Sequence, residues 1–134
     1  MKRLALLILA ALSLSGLNLG QAAEPLRVFI RSGPKTHGPG QHDHPRFLQD
    51  YTKLLNDRGA KATGKMGFPT AQELENTDVL VMFLAEGGTI SPEDRVNLDK
   101  FLKRGGGIVT LHDAVCGTDP HWFKTVIGGA WEHR

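Results

Sequence analysis

Val79-Leu80-Val81-Met82-Phe83-Leu84 is an unbroken apolar run, followed at once by Ala85-Glu86-Gly87-Gly88. A strand with one solvated face alternates apolar and polar residues. A continuous run suits a strand covered on both faces, as in parallel sheets. Two more segments have this character: Leu26-Arg27-Val28-Phe29-Ile30, ended by Ser32-Gly33-Pro34, and Ile108-Val109-Thr110-Leu111, which delivers His112. Ala60 to Thr63 is a weaker, polar strand that fits a sheet edge.

Helical patterns separate these strands. Pro45 suits a first helical turn with His44 or Asp43 as its cap, and Phe47, Leu48, Tyr51, Leu54 and Leu55 recur at helical spacing until Gly59. Thr70-Ala71-Gln72-Glu73 matches a capping box. Ser91 with Pro92 opens the next helix, whose apolar face is Val96, Leu98, Phe101 and Leu102. Lys103-Arg104 and Gly105 close it. A short helix is expected over 122–127. Strand and helix thus alternate about four times, the pattern of a doubly wound parallel α/β sheet. If the first strand pairs with both the second and the third, the order is 2-1-3-4, the flavodoxin-like arrangement. Its crevice then lies beyond strands one and three. The Gly33–His44 loop, the Ala85–Gly88 turn and the His112–Thr118 loop project into it.

The chain has 134 residues, 16 basic and 14 acidic. Met1-Lys2-Arg3, the apolar stretch from Leu4 to Leu14, and Gly20-Gln21-Ala22 form the three parts of a secretory signal peptide, placing the boundary at 1–23 and a single domain at 24–134. The apolar run is short for a membrane span. The expectation is a periplasmic or secreted protein with no stable membrane anchor. Lys2 and Arg3 are the only charges in the signal, so the remaining chain has as many basic as acidic residues. Nothing resembles the basic stripe that a phosphate backbone requires, and no nucleic-acid partner is expected. Cys116 is the only cysteine, which excludes an intramolecular disulfide.

Five of the six histidines (37, 42, 44, 112 and 121) fall in segments leaving strand ends. Imidazole is both a common metal ligand and a common acid/base group near neutral pH. In an extended loop His42 and His44 point the same way, and with a carboxylate they could bind zinc or another divalent ion. A capped helix start with solvated histidines has the same letters. His112-Asp113 follows a buried strand directly, where strand–turn–helix enzymes place a reactive side chain. The competing role is a packed histidine bonded to a backbone carbonyl. Glu86 brings a carboxylate to the same edge, and Gly87 and Gly88 would let a substrate approach the backbone; a helix-cap role competes. Cys116 fits either a nucleophile or, lacking a partner, a small apolar filler. His121-Trp122 and Trp131 add aromatic surface that suits sugar faces or simply a core.

Five stretches carry a family resemblance. They are Gly40-Gln41-His42-Asp43-His44-Pro45, Ala85-Glu86-Gly87-Gly88, the Phe101–Gly107 helix exit, Gly107-Ile108-Val109-Thr110-Leu111-His112, and Ile127-Gly128-Gly129-Ala130-Trp131-Glu132-His133. Together they resemble the ThuA-like (trehalose-utilisation) family, related in fold to class I glutamine amidotransferases. His112 looks equivalent to the cysteine nucleophile of those relatives, which argues against glutamine hydrolysis. The resemblance implies an exported protein of carbohydrate metabolism acting on a disaccharide or keto-sugar. It implies His42, His44, His112 and His133 as crevice-lining, with Glu86 and Asp113 supporting them. His112, Asp113 and Glu86 are the expected catalytic residues, and His42, His44 and His133, with Gly87, Gly88 and Trp131 from the strand-end reading, the expected substrate-binding ones. His42, His44 and His112 are the implied ligands if a divalent metal such as zinc is used. The alternative is a non-catalytic sugar-binding module or an inactive truncated fragment. The family domain is longer than this chain, so the apolar fourth strand is expected to form an exposed edge open to self-association.

Overall fold

The computed structural model describes residues 23–132. Apart from Ala23, the expected signal peptide lies outside them, as does His133. Strands and helices alternate: β1 (Arg27–Ser32), α1 (His44–Asp57), β2 (Lys61–Met66), α2 (Ala71–Glu75), β3 (Val79–Phe83), α3 (Pro92–Lys103), β4 (Gly107–Thr110), a short 3₁₀ turn (His112–Val115) and α4 (Pro120–Ile127). All strand pairings are parallel and the order is β2-β1-β3-β4, as the 2-1-3-4 pattern predicts. This is the flavodoxin-like α/β arrangement. No helix among the described residues is long and apolar enough to cross a membrane.

Register assigns the two faces. Phe29, Leu80 and Ile108 stand side by side, as do Ile30, Val81 and Val109. The Phe29 face carries the larger core, where Leu80 and Met82 pack with Leu74 of α2, Leu98 and Phe101 of α3, and Phe123 of α4. On the Ile30 face a smaller cluster of Val28, Ile30 and Ala62 meets Phe47, Leu48 and Leu55 of α1. Each fully buried aliphatic side chain contributes roughly 1.5–3 kcal/mol. Cover on the α1 face fades across the sheet: Ile30 is 0% exposed, Val81 half-buried and Val109 42% exposed. β4 pairs with β3 alone among the described residues.

The caps match their sequence signals. Asp43 accepts from the Arg46 backbone N–H at 3.1 Å, Thr70 and Glu73 form the reciprocal box, and Ser91 accepts from Asp94 N–H. β2 runs past Thr63 to Met66, because Gly64 has no side chain to obstruct contact: a Cβ there would lie 2.3 Å from Ile30 O and 2.7 Å from Leu48 Cδ1. α4 begins at Pro120, two residues earlier than the expected Trp122, because Asp119 accepts from Trp122 N–H and Pro120 suits the first turn.

Asp78 ties the amino ends of three strands. Its backbone pairs with Arg27 and Gly107, each at 2.8 Å, and its carboxylate accepts the Arg27 backbone N–H at 2.9 Å and the guanidinium at 2.5 Å. These bonds hold the Asp78 carboxyl down at about 2, against an ordinary 3.8. A depressed carboxyl stabilises the fold above its unfolded value and loses that contribution as pH falls through the folded one. Asp78→Asn is therefore expected to lower the melting temperature by a few degrees at neutral pH. Thermal melts across pH should show the gap to the native protein closing between about 3.8 and about 2.

Candidate functional site

The parallel sheet sends the loops after β1, β3 and β4 out of one edge. After β1 the chain folds around a lysine. Lys35 Nζ donates to the carbonyls of Gly38 and Gln41, each at 2.6 Å, and of Thr36 and His37, each at 3.3 Å. Thr36 N–H also bonds His42 O at 3.3 Å. The ammonium thus replaces the backbone partners that an irregular loop lacks. His37 and His42, on this loop, both take left-handed φ, 62° and 42°. Among the described residues only two other non-glycines do so: Glu86 at 52° and His112 at 54°. All four sit on loops at the carboxyl edge. Such conformations cost of order 1–3 kcal/mol each and gather at functional sites.

The loops after β1 and β4 converge on one carboxylate. Asp113 Oδ1 lies 3.0 Å from His112 Nδ1, and its Oδ2 lies 3.4 Å from His42 Nδ1. The His42 ring stands edge-on to both His37 and His112, with centroid distances of 4.3 and 4.7 Å. Thr36 Oγ1 is 3.3 Å from His42 Nδ1. Three imidazoles and one carboxylate therefore share a small volume, with His42 at its centre. Asp113 is largely buried and His112 more than half exposed, a pairing in which a fixed carboxylate orients an accessible ring. Desolvation holds His42 below the ordinary histidine value; neighbouring His37 and His112 push the same way, while Asp113 opposes them.

Several expected residues sit elsewhere. His42 and His44 are not on an extended loop: the chain turns at His42, where His44 N–H bonds His42 O at 3.0 Å. His44 consequently enters the core, 0% exposed, with Nδ1 2.8 Å from Pro34 O and its ring edge on Phe83. It offers no surface to a ligand from solvent and anchors the start of α1 instead. His44 therefore lies apart from the accessible histidines, and the implied set of His42, His44 and His112 is not the one the fold brings together. Ligand atoms of His37, His42 and Asp113 all lie within 4.8 Å of one another, while His112 turns its Nδ1 to Asp113.

Gly87 and Gly88 are also not open to a substrate. A Cβ on Gly87 would lie 2.6 Å from Ala114 O, and one on Gly88 2.4 Å from the Phe123 ring. Their small size lets the β3 loop pack against the β4 loop and α4. Arg31, buried at the end of β1, holds this loop from beneath by donating to Gly87 O at 2.7 Å. Burial lowers its guanidinium to about 10. Glu86 is exposed at this turn, with Oε2 accepting from Thr89 Oγ1 at 3.4 Å. Cys116 is fully buried and burial raises its thiol, so it is the apolar filler rather than a nucleophile. Trp122 lies under the Arg95 guanidinium at 3.8 Å, a packing role. Trp131 is 57% exposed, its backbone bridged to Cys116, and it lines a groove with His121, Lys124 and Glu132.

Residues 28–134 match the family described as trehalose utilisation, ThuA. The chain belongs to the ThuA family. The solved structure of a ThuA-like protein from Bacteroides uniformis superposes with a TM-score of 0.64 at 18% identity, over 87% of this chain and 49% of that one. At that identity the likeness is one of fold, and this ThuA chain spans about half the length of that relative. Comparison with curated proteins finds no match.

Two measurements check this geometry. Gly88→Ala forces a methyl onto the Phe123 ring and is expected to destabilise the fold by roughly 1–3 kcal/mol in denaturant titrations; an unchanged midpoint would contradict the close packing. In histidine NMR titrations, His42 is expected to protonate below the ordinary value. Asp113→Asn should lower it further by removing the opposing charge, and His37→Ala should raise it.

Proposed function

We propose that this chain acts on a carbohydrate, with a sugar bound at the carboxyl edge of the sheet and the histidine cluster moving a proton. One observation carries the reading: every left-handed non-glycine residue among the described ones lies on the loops of that edge, and three of the four are histidines. Strain gathered in side chains fit for proton transfer is hard to account for by folding alone. The family description, trehalose utilisation, supplies the substrate direction. A disaccharide or its oxidised keto form is the class we favour.

In this reading His112 is the proton carrier. It is exposed to an incoming ligand, and Asp113 Oδ1 at 3.0 Å fixes its ring and stabilises the charge it gains. With its Nδ1–H donated to Asp113, its Nε2 is the free base. His42 approaches the same carboxylate from the other loop, and desolvation beside His37 and His112 lowers its proton affinity. Glu86 adds a second carboxylate at this edge, and exposed Trp131 offers an aromatic face to a sugar ring. The signal-like pattern at 1–23 supports export to the periplasm or beyond.

The test is a titration of the full protein with trehalose and with its keto form, following the histidine ring resonances and any turnover. The His42 and His112 signals are expected to shift together with saturating sugar. General acid–base assistance contributes about 10²–10⁴-fold, so His112→Ala should reduce turnover by at least about 100-fold while sugar binding persists. Binding without turnover in both forms would favour a sugar-binding module. Resonances that never move would remove the carbohydrate reading from this edge.

A further inference from the structure

We propose that His37, His42 and Asp113 form a binding site for one divalent first-row transition ion such as Zn²⁺, with His112 as the residue that positions the carboxylate. The inference deepens the proposed function and places its ion in the same cluster. Ligands about 2.1 Å from a tetrahedral zinc stand roughly 3.4 Å apart. His42 Nδ1 and Asp113 Oδ2 already have that spacing, 3.4 Å. One ring nitrogen of His37 lies within 4.8 Å of a ligand atom of His42 and of Asp113, and His37 is exposed, so rotation of its side chain can close the remainder.

The donor set selects the class of ion. Two imidazole nitrogens and one carboxylate oxygen suit zinc or another borderline ion, whereas calcium and magnesium favour all-oxygen shells. Three protein ligands leave at least one position for water or a sugar oxygen, the arrangement of a catalytic site rather than a closed structural one. The second layer is present as well. His112 Nδ1 occupies Asp113 Oδ1 at 3.0 Å, leaving Oδ2 for the ion, and ligating carboxylates are ordinarily held this way. The Lys35 ammonium, the cation of the same loop, is turned onto backbone carbonyls and so fixes the loop's shape.

The experiment is calorimetric titration of Zn²⁺ into the chelator-treated full protein at neutral pH, with Mg²⁺ titrated in parallel. Single-site zinc binding in the micromolar range or tighter is expected, with no comparable magnesium binding. His37→Ala and Asp113→Asn should each weaken zinc by at least about 100-fold, and His112→Ala by about 10–100-fold. His121→Ala, in the groove beside Trp131 and not among the three ligands, should bind zinc as the native protein does. Circular dichroism checks folding, and His37, exposed on its loop, gives a variant that leaves the core untouched. Zinc binding no tighter than millimolar, or unchanged by His37→Ala and Asp113→Asn, overturns the site. Sugar titration in excess chelator separates the two ideas. Sugar binding without a zinc site sinks the ion alone, and a zinc site without sugar binding sinks the carbohydrate reading alone.

Discussion

Parallel pairing of β1 with β2 on one side and β3 on the other is the constraint on which everything else rests. It makes β1 a central strand, buried from Val28 to Ser32, and sends every strand out of the sheet at one edge. Asp78 reinforces the opposite edge by joining the starts of β1, β3 and β4 through backbone and carboxylate together. Parallel pairing then releases the loops after β1, β3 and β4 side by side at the carboxyl edge. His42 and Asp113, 71 positions apart in sequence, meet because β1 and β4 flank the same β3.

Holding four side chains in left-handed backbone costs of order several kcal/mol. Two multiply bonded cations help to offset it. Exposed Lys35 gathers four carbonyls of the histidine loop, and buried Arg31 supports the Gly87 carbonyl beside Glu86. Neither residue faces the cluster's chemistry. Both decide whether the chemistry is assembled, because a relaxed loop at 36–42 would carry His37 and His42 away from Asp113. Close packing of Gly87, Gly88 and Gly117 against neighbouring backbone and Phe123 does the same for the β3 and β4 loops.

Local signals made much of the fold legible. The unbroken run at Val79–Leu84, the caps at Thr70 and Ser91, and the prolines at 45 and 92 each act over a few residues, and each appears where read. Chain alternation then left few topologies open. The site was legible only in part. His112-Asp113 could be placed because a buried strand ends there. His37 carries no signal of its own in the sequence, since its part depends on a left-handed turn and on Lys35, neither of which periodicity reports. Alternation along an extended chain puts His44 beside His42, whereas the chain turns at His42 and buries His44. The glycine pair read as open for the same reason: sequence shows a missing side chain, while only tertiary packing shows that Ala114 and Phe123 fill its place.

Proton transfer and metal binding draw on the same lone pairs, and the cluster's electrostatics bear on which is favoured. A positive charge on His37 or His112 opposes one on His42. Asp113 can balance one positive charge, and its two oxygens already divide between His112 and His42. A single divalent ion satisfies the nitrogens of His37 and His42 at once, where separate protons would set them against each other. It would take the place of the His42–Asp113 contact and leave His112 on the other oxygen, exposed at the site. In the proposed site the two roles fall to different residues of one cluster: His37, His42 and Asp113 hold the ion, and His112, two residues beyond β4, carries the proton.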